Sequence, residues 1–291
     1  MIRDIGKICS SSGDTLLKMW HVYVPEGKRT FYRHNHLQFE ITLIKQGKAV
    51  YTTGDKEYII SAGDVLVFAS NEMHCITDVT DGELKMINLH FEPRYLWSGS
   101  SEILSEKHIN FCFSHNPNFE NCIKKENAGN LAKLLTSIKG EFESKKEEYP
   151  LMIKTYLDMI LVELIRNFGY TEESLSLSRS HLKSIRKAVT YIDKHISEEL
   201  TLEQIADVAN LSPNYFSSLF KKVSNITLWQ YIASKRIDMA INLLLSEGST
   251  DNMLDVAVKC GFNNTANFNK TFKKITGMTP SEYRLSGDFT V

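Results

Sequence analysis

The first third of the chain alternates apolar and polar residues in short runs that are separated by turn-forming residues. The runs are residues 39–44, 49–53, 58–60, 65–68 and 84–91. An alternating run predicts a β-strand with one buried face, and strands this short and evenly spaced predict a barrel or jelly roll. We therefore expect β structure over about residues 20–95.

Residues 128–168 change to the helical period. One apolar face is formed by Leu131, Leu134, Leu135, Ile138 and Phe142. Pro150 is placed to begin a second helix, which is largely apolar. Two such helices can cap a small barrel or pair with a second subunit, and the second role predicts a homodimer. The polar, serine-rich residues 171–180 are typical of an interdomain linker.

The rest of the chain carries the helical period, and within it one unit is repeated. Residues 202–223 and 253–275 each contain a short apolar helix, a turn and a second helix that ends in Lys-Lys. The copies are offset by 51 residues in their first helices and 52 in their second, and a helix of about residues 228–246 separates them. Thr201 and Gln204 predict a capping box. The pattern indicates a tandem helix-turn-helix, which is a DNA-binding arrangement.

The second helix of each copy has one apolar and one polar face. The apolar faces are Phe216, Leu219, Phe220 and Val223 in the first copy, and Phe268, Phe272 and Ile275 in the second. The opposite faces carry small, amide and lysine side chains, which suit a major groove, base edges and phosphates. The predicted DNA-contacting residues are Asn214, Ser217, Ser218, Lys221, Lys222, Asn264, Thr265, Asn267, Asn269, Lys270, Lys273 and Lys274.

The composition limits the class of protein. The chain has 291 residues, of which 42% are apolar and 24% charged, so about two globular domains are expected. No apolar run reaches the roughly 18 residues of a membrane span, and the first residues lack the apolar core of a signal peptide, which predicts a cytoplasmic protein without a membrane partner. The five cysteines form no CxxC pair, which favours reduced thiols. Residues 181–284 hold 13 Lys and Arg against 10 Asp and Glu, a weakly basic balance that suits DNA.

The repeated region resembles the AraC/XylS (arabinose-regulator) family of transcription factors. Its ordered motifs over about residues 181–284 are Leu211-Ser212-Pro213, Tyr215-Phe216, Phe220-Lys221-Lys222, Gly261-Phe262 and Thr279-Pro280-x-x-Tyr283-Arg284. The resemblance implies an all-α DNA-binding domain whose two recognition helices enter successive major-groove segments roughly 34 Å apart. It also implies a transcriptional activator rather than an enzyme, with RNA polymerase as an expected partner.

A second resemblance lies in the β region. The cupin spacing HxHx3Ex6G, and a looser form of the second cupin motif, are carried by His34, His36, Glu40, Gly47, Gly63-Asp64 and His74. In cupin enzymes the three histidines and the glutamate bind a divalent metal, whereas in regulators they commonly form a ligand pocket without a catalytic metal. For His34, His36, Glu40 and His74 we predict effector binding without a cofactor. Metal binding and hydrogen bonding within the fold stay open as alternatives.

The chain is therefore predicted to be an α+β multidomain protein. It would contain a cupin-like β-barrel (jelly roll) with following helices over residues 1–170, a linker over 171–180, and a double helix-turn-helix domain over 181–291. Candidate stacking faces for a small effector are Trp20, Tyr23, Phe31, Tyr32 and Tyr51. For any one of these residues, a place in the barrel core is the favoured alternative. A sugar is expected because sugars are frequent effectors in the family. A metal-dependent cupin enzyme fused to a DNA-binding domain and a regulator without a ligand remain as alternative functions.

Overall fold

The chain divides into two compact units. A computed structural model describes residues 2–9, 15–28, 34–97, 111–113, 115–171, 179–224, 226–245 and 251–286. The first unit contains Met1–Phe31, Gln38–Ser174 and Val291, and the second contains Tyr32–Leu37 and Leu175–Thr290. Most of the predicted linker, together with Phe31 and Tyr32, lies outside the described residues. Among the described helices, none combines the length and apolarity needed to cross a membrane.

The first unit is built on two antiparallel sheets. Its strands are β1 (Ile2–Cys9), β2 (Thr15–Val24), β3 (Gly27–Lys28), β4 (Phe39–Gln46), β5 (Lys48–Thr53), β6 (Lys56–Ser61), β7 (Val65–Phe68), β8 (His74–Val79), β9 (Leu84–Phe91) and β10 (Cys122–Ile123). One sheet has the order β1-β2-β9-β4-β7-β10, and the other has the order β3-β8-β5-β6. Side chains from both sheets form one core, which includes Val22, Tyr51, Ile60, Phe68 and Met86. The predicted cupin-like β domain is confirmed.

The β structure begins earlier than the sequence analysis predicted. β1 lies entirely before residue 20 and β2 begins at Thr15; the two strands pair with each other, and Leu17–Val24 of β2 also pairs with β9. The prediction missed them because β1 is an edge strand that carries charged residues such as Arg3, Asp4 and Lys7. Charges of this kind protect a sheet edge from pairing with other chains but hide the alternating apolar pattern.

Asp64, which the cupin-like motif includes, has a structural role. Its carboxylate is buried and accepts hydrogen bonds from the backbone N–H of Ser61 at 2.9 Å and of Lys125 at 3.0 Å. The ammonium of Lys124 lies 3.0 Å from the same carboxylate. A buried charge needs such partners. These contacts therefore hold the turn before β7 against the start of the helix that begins at Lys125.

Three helices complete the first unit: α1 (Pro93–Trp97), α2 (Lys125–Ser144) and α3 (Tyr149–Asn167). The five apolar residues that the sequence placed on one face of α2 are all buried. α3 buries one face through Ile153, Leu157, Ile160, Leu161 and Leu164. Its opposite face exposes Leu151, Met152, Met159 and Val162, the most exposed being Leu151 at 62%. α3 therefore has an uncovered apolar stripe within this chain.

The helices of the second unit form two helix-turn-helix motifs. They are α4 (Arg179–Lys194), α5 (Leu202–Ala209), α6 (Pro213–Ser224), α7 (Leu228–Leu245), α8 (Met253–Lys259), α9 (Thr265–Thr276) and α10 (Pro280–Ser286). The predicted capping box is present at the start of α5, where Gln204 N–H donates to the Thr201 hydroxyl. α5 and α6 form the first motif, α8 and α9 form the second, and α7 runs between them. The predicted all-α domain with two helix-turn-helix motifs is confirmed.

Candidate DNA-binding surface and barrel ligand site

The polar face of α6 is available to a partner. Phe216, Leu219, Phe220 and Val223 are all buried, as the helical pattern predicted. On the opposite side Asn214, Ser218, Lys221 and Lys222 are exposed and Ser217 is half-buried. The helix thus presents small and amide groups near its beginning and two lysines in its last turn.

The second motif presents a matching face on α9. Phe268 and Phe272 are buried and Ile275 is half-buried. The polar side chains are exposed at Asn264, Asn267, Asn269, Lys270, Lys273 and Lys274, and half-buried at Thr265. Asn264 is the N-cap of α9, because its side-chain oxygen accepts a hydrogen bond from Asn267 N–H at 2.8 Å. Its amide NH2 is the part that a base or phosphate can still reach.

The chemistry of both helices suits an anionic partner. Neither α6 nor α9 contains an aspartate or glutamate, and each ends with two adjacent lysines. Lysines near a DNA duplex neutralise phosphates, while asparagine and serine side chains can bond base edges. The DNA-contacting residues predicted from the sequence therefore lie on the polar faces of α6 and α9. Both faces have the side chains expected of a helix that binds in a major groove.

Arg236 joins parts of the second unit that lie far apart in the sequence. Its Nε donates to the carbonyl of Ile196 at 2.9 Å, and its Nη2 donates to the carbonyl of Glu198 at 2.7 Å. The guanidinium carbon lies 5.9 Å from the ring centroid of Phe262, within range of a cation–π contact. Ile196 and Glu198 follow the end of α4, and Phe262 lies in the turn between α8 and α9. Arg236, on α7, therefore connects the segment after α4 to the turn of the second motif.

The first unit contains a buried cluster of one carboxylate and two imidazoles. Oε2 of Glu40 lies 2.7 Å from Nε2 of His90 and 3.3 Å from Nε2 of His74. Glu40 and His90 are direct partners in the register between β4 and β9, and His74 begins β8 in the other sheet. Glu40 is 2% exposed and His74 is 1% exposed. The cluster therefore places three polar groups inside a largely apolar barrel.

Neighbouring groups fix the orientation of this cluster. The Thr42 hydroxyl donates to Oε1 of Glu40 at 2.7 Å, which leaves Oε2 facing the two histidines. Nδ1 of His74 lies 2.8 Å from the carbonyl of Glu72, so Nδ1 carries the proton and donates. The imidazole of His74 also stacks on Phe68, with ring centroids 4.4 Å apart. Burial alone lowers the pKa of His74, but the adjacent Glu40 carboxylate outweighs it and the pKa is raised.

Of the predicted ligand residues, Glu40 and His74 come together in the first unit. His34 and His36 lie in Tyr32–Leu37, which belongs to the second unit, and their ring centroids are 5.9 Å apart. The sequence analysis missed His90, because it belongs to no motif spacing and becomes a neighbour of Glu40 only through strand pairing.

The candidate aromatic faces have different surroundings. Trp20 is half-buried and its ring meets His90 edge to face, with centroids 4.5 Å apart. Tyr51 is buried in the core, where it stacks on Phe68 with centroids 5.3 Å apart. Tyr51 is therefore a core residue, which is the favoured alternative for its position, because its ring fills the space between the two sheets. Tyr23 is half-buried on β2, on the outer side near His21.

A half-buried ion pair between Glu72 and His115 joins parts of the first unit that are distant in the sequence. The Glu72 carboxylate lies 3.2 Å from Nε2 of His115 and accepts from the Asn121 side chain at 2.7 Å. Burial raises the pKa of Glu72, but the hydrogen bond and charge of His115 outweigh it and the pKa is lowered. The Tyr170 ring packs on His115, and Tyr170 O accepts from Asn116 N–H at 2.8 Å. These contacts tie the end of the first unit to the barrel.

The described residues also form a groove of about 440 Å³ away from the cluster. It runs between the end of β4 and α2, and its lining includes Lys45, Lys133, Thr136 and Ser137. It opens on the outer face of the sheet and contains none of the predicted ligand residues. The Glu40 cluster is the better candidate ligand site, because buried polar groups converge there among aromatic rings of the barrel.

Two family models match the chain. One describes an AraC-like ligand-binding domain and matches residues 24–161, and the other describes a helix-turn-helix domain and matches residues 205–286. The first model covers the barrel strands that carry Glu40, His74 and His90. The second covers both helix-turn-helix motifs. Together they account for about three quarters of the chain.

Known proteins of similar sequence and structure agree with the two models. The chain is 25% identical over 255 residues to the transcriptional activator RhaR of Mannheimia succiniciproducens, covering 87% of each chain. It is 23% identical to the melibiose operon regulatory protein of Escherichia coli, covering 86% of this chain and 82% of that protein. Its fold is similar to that of ToxT from Vibrio cholerae with a bound unsaturated fatty acid, at a TM-score of 0.60 and 14% identity, covering 97% and 98% of the two chains. The two relatives of similar sequence are regulators rather than enzymes, and the chain belongs to the AraC family of DNA-binding transcriptional regulators, with an AraC-like ligand-binding domain followed by a double helix-turn-helix domain.

Proposed function

We propose that this regulator is a homodimeric activator whose barrel binds a small neutral compound with several hydroxyl groups, a sugar being the expected class. The convergence of Glu40, His74 and His90 inside the barrel is the observation that carries this proposal. Binding there would bias the placement of the two helix-turn-helix motifs on DNA. A coupling of this kind is typically about 1–3 kcal/mol.

The cluster favours hydroxyl groups over an acid. A carboxylate such as Glu40 accepts hydrogen bonds and repels a second anion in a buried environment. Imidazoles can donate or accept, so His74 and His90 can bond hydroxyls of either orientation. Trp20 beside His90 offers an aromatic ring on which the C–H face of a sugar can pack. Relatives named for the melibiose operon agree with this class, whereas the fatty acid of ToxT represents a competing one.

The exposed stripe of α3 supports a homodimer. Leu151, Met152, Met159 and Val162 recur at helical spacing on the side of α3 that faces away from the barrel core. Contiguous exposed apolar residues on a protein surface commonly mark an interface. We therefore assign dimerisation to α3. In the proposed division of the chain, α3 belongs to a first domain of residues 1–170, and a linker at 171–180 joins this domain to the DNA-binding domain at 181–291.

For DNA contact we assign roles by side-chain chemistry. Lys221, Lys222, Lys273 and Lys274 would neutralise phosphates at the ends of the recognition helices. Asn214, Ser217, Ser218, Asn264, Thr265, Asn267, Asn269 and Lys270 would face the groove or its rim. An activator must also contact RNA polymerase, and this contact is part of the proposal.

A ligand screen on the full chain tests the effector assignment. A panel of neutral sugars and of fatty acids would be compared by thermal shift and by the change in affinity for DNA upstream of the gene. We expect one sugar to raise Tm and change DNA affinity in the wild type and in Glu57→Gln, a control at an exposed β6 position. The effect should disappear in Glu40→Gln. A response to fatty acids alone would refute the sugar, and no response to any compound would favour a regulator without a ligand.

A further inference from the structure

We propose that the groove between the end of β4 and α2 binds a ligand of its own, a small organic anion with an apolar body. The groove has a volume of about 440 Å³, which lies within the range of roughly 300–1,000 Å³ for small-molecule sites. Its lining contains none of Glu40, His74 and His90, which carry the effector proposal. This second site therefore stands independently of the barrel site.

The walls of the groove are held in place by hydrogen bonds within the first unit. Leu43 and Ile44 of β4 and Gly63 of the following turn line one side of it. Ile44 N–H donates to the carbonyl of Asp64 at 3.0 Å, and Gly63 N–H donates to the carbonyl of Ile44 at 2.9 Å. The Asp64 carboxylate accepts from the N–H of Lys125, which begins α2, the other wall. Walls that are fixed before a ligand arrives lower the entropic cost of binding it.

The charged groups of the groove are all positive. Lys45 at the end of β4 and Lys133 on α2 are both exposed. Within the described part of the chain, neither ammonium forms an ion pair, and no acidic residue lines the groove. The Ser137 hydroxyl has no hydrogen-bond partner in that part and can donate to a ligand, whereas the Thr136 hydroxyl donates to the carbonyl of Ala132 at 2.8 Å. A cleft lined by one sign of charge attracts ligands of the opposite sign.

Further positive charge surrounds Lys45. Burial lowers the pKa of His21 on β2, and the charges of Lys139, Arg3 and Lys45 lower it further. Glu143 acts in the opposite direction, but it forms an ion pair with Lys139. The field near the end of β4 therefore favours an anionic ligand over a neutral one.

The apolar and charged parts of the lining together select the class of ligand. The side chains of Leu43 and Ala132 can cover a hydrocarbon chain or a ring, while lysines and a hydroxyl bond carboxylate or phosphate oxygens. An inorganic anion lacks the part that packs on the apolar side chains, and a neutral compound lacks the charge that the lysines attract. Carboxylic acids and phosphate esters share the required chemistry.

Fluorescence titration of the full-length protein with anilinonaphthalene sulfonate tests the proposal. The neutral N-phenylnaphthylamine has the same aromatic body without the charge and serves as the reference probe. We expect saturable binding that prefers the sulfonate, and this preference should decrease as the salt concentration rises. In Lys45→Gln with Lys133→Gln the preference should fall by about 3- to 30-fold, because one exposed ion pair contributes up to roughly fivefold. Affinity for the neutral probe should not change.

Two further variants locate the bound probe. Lys145→Gln with Lys146→Gln is the matched control, because these exposed lysines follow the end of α2 and do not line the groove. It should keep the preference of the wild type. Ala132→Phe places an aromatic ring in the groove and should weaken the binding of both probes.

Competition by octanoate and by phenyl phosphate then identifies the anionic group, since the stronger competitor shows whether a carboxylate or a phosphate ester is preferred. A wild-type protein that does not prefer the sulfonate would overturn the proposal. So would a preference that survives the loss of both groove lysines, one that falls equally in the control, or a probe that neither competitor displaces. Unchanged binding in Ala132→Phe would place the probe elsewhere and overturn it as well.

Discussion

Gly261 lies where the second helix-turn-helix motif meets the rest of the DNA-binding unit, and replacing it with alanine should destabilise that unit strongly. Its φ is +79°, in the left-handed region that residues with a Cβ seldom adopt. A Cβ built there would lie 2.8 Å from the carbonyl oxygen of Ile196 and 2.9 Å from Nε of Arg236. These two atoms already form a 2.9 Å hydrogen bond with each other, so the new methyl group would press on that bond.

Two separate costs determine the expected size of the effect. Holding a non-glycine residue in the left-handed region costs about 1–2 kcal/mol. Displacing the Arg236 guanidinium removes a charge-assisted hydrogen bond, which contributes about 1.5–3 kcal/mol. Because Arg236 is partly exposed, the lower part of this range applies, and we expect Gly261→Ala to lose about 2–4 kcal/mol of unfolding free energy.

Urea unfolding followed by hydrogen-exchange mass spectrometry measures this loss separately for each unit. Gly82→Ala is the control, because Gly82 also has a positive φ of +67° but no atom within 4 Å of a built Cβ. Peptides of residues 202–286 should unfold at lower urea in Gly261→Ala, while the barrel peptides are unchanged. A loss no larger than that of Gly82→Ala, or below about 1 kcal/mol, would refute the contact with Arg236 as its cause.

Further substitutions test both units. Lys221→Ala with Lys273→Ala should weaken binding to every DNA sequence and reduce the slope of log affinity against log salt by about two. Asn267→Ala should instead change preference at one base pair by about 1–3 kcal/mol, measured on singly substituted sites. Met159→Lys should shift sedimentation from dimer to monomer. Tyr170→Phe should be neutral or stabilising by about 1 kcal/mol in thermal unfolding, because the buried Tyr170 hydroxyl has no hydrogen-bond partner among the described residues.

Much of the DNA-binding unit could be predicted from the sequence, because its determinants are local. Each signal depends on residues within one or two helical turns. These signals are the helical period, the Thr201–Gln204 capping box and Pro213 at the start of a helix. The sequence repeat then indicated that the polar face of α6 corresponds to the polar face of α9. The contacts of Arg236 could not be predicted, because they join residues about 40 positions apart.

The barrel site was less predictable, because strand pairing creates it. Glu40 and His74 were found through motif spacing, but His90 becomes a ligand candidate only when β9 pairs with β4. Tyr51 shows the limit of a strand pattern. Alternation along β5 indicates that its side chain lies on one face of the sheet, but whether that face lines a pocket or packs in the core depends on the second sheet, which buries it.

Every functional role assigned to this regulator depends on sequence-specific DNA binding by the full chain. Fluorescence anisotropy on DNA upstream of the gene, at two salt concentrations and against scrambled competitor, measures it. We predict tight binding that resists the competitor in the wild type, and binding that loses affinity and salt dependence together in the Lys221→Ala, Lys273→Ala variant. Binding that the scrambled competitor removes equally well, with and without each compound of the ligand panel, would contradict the account.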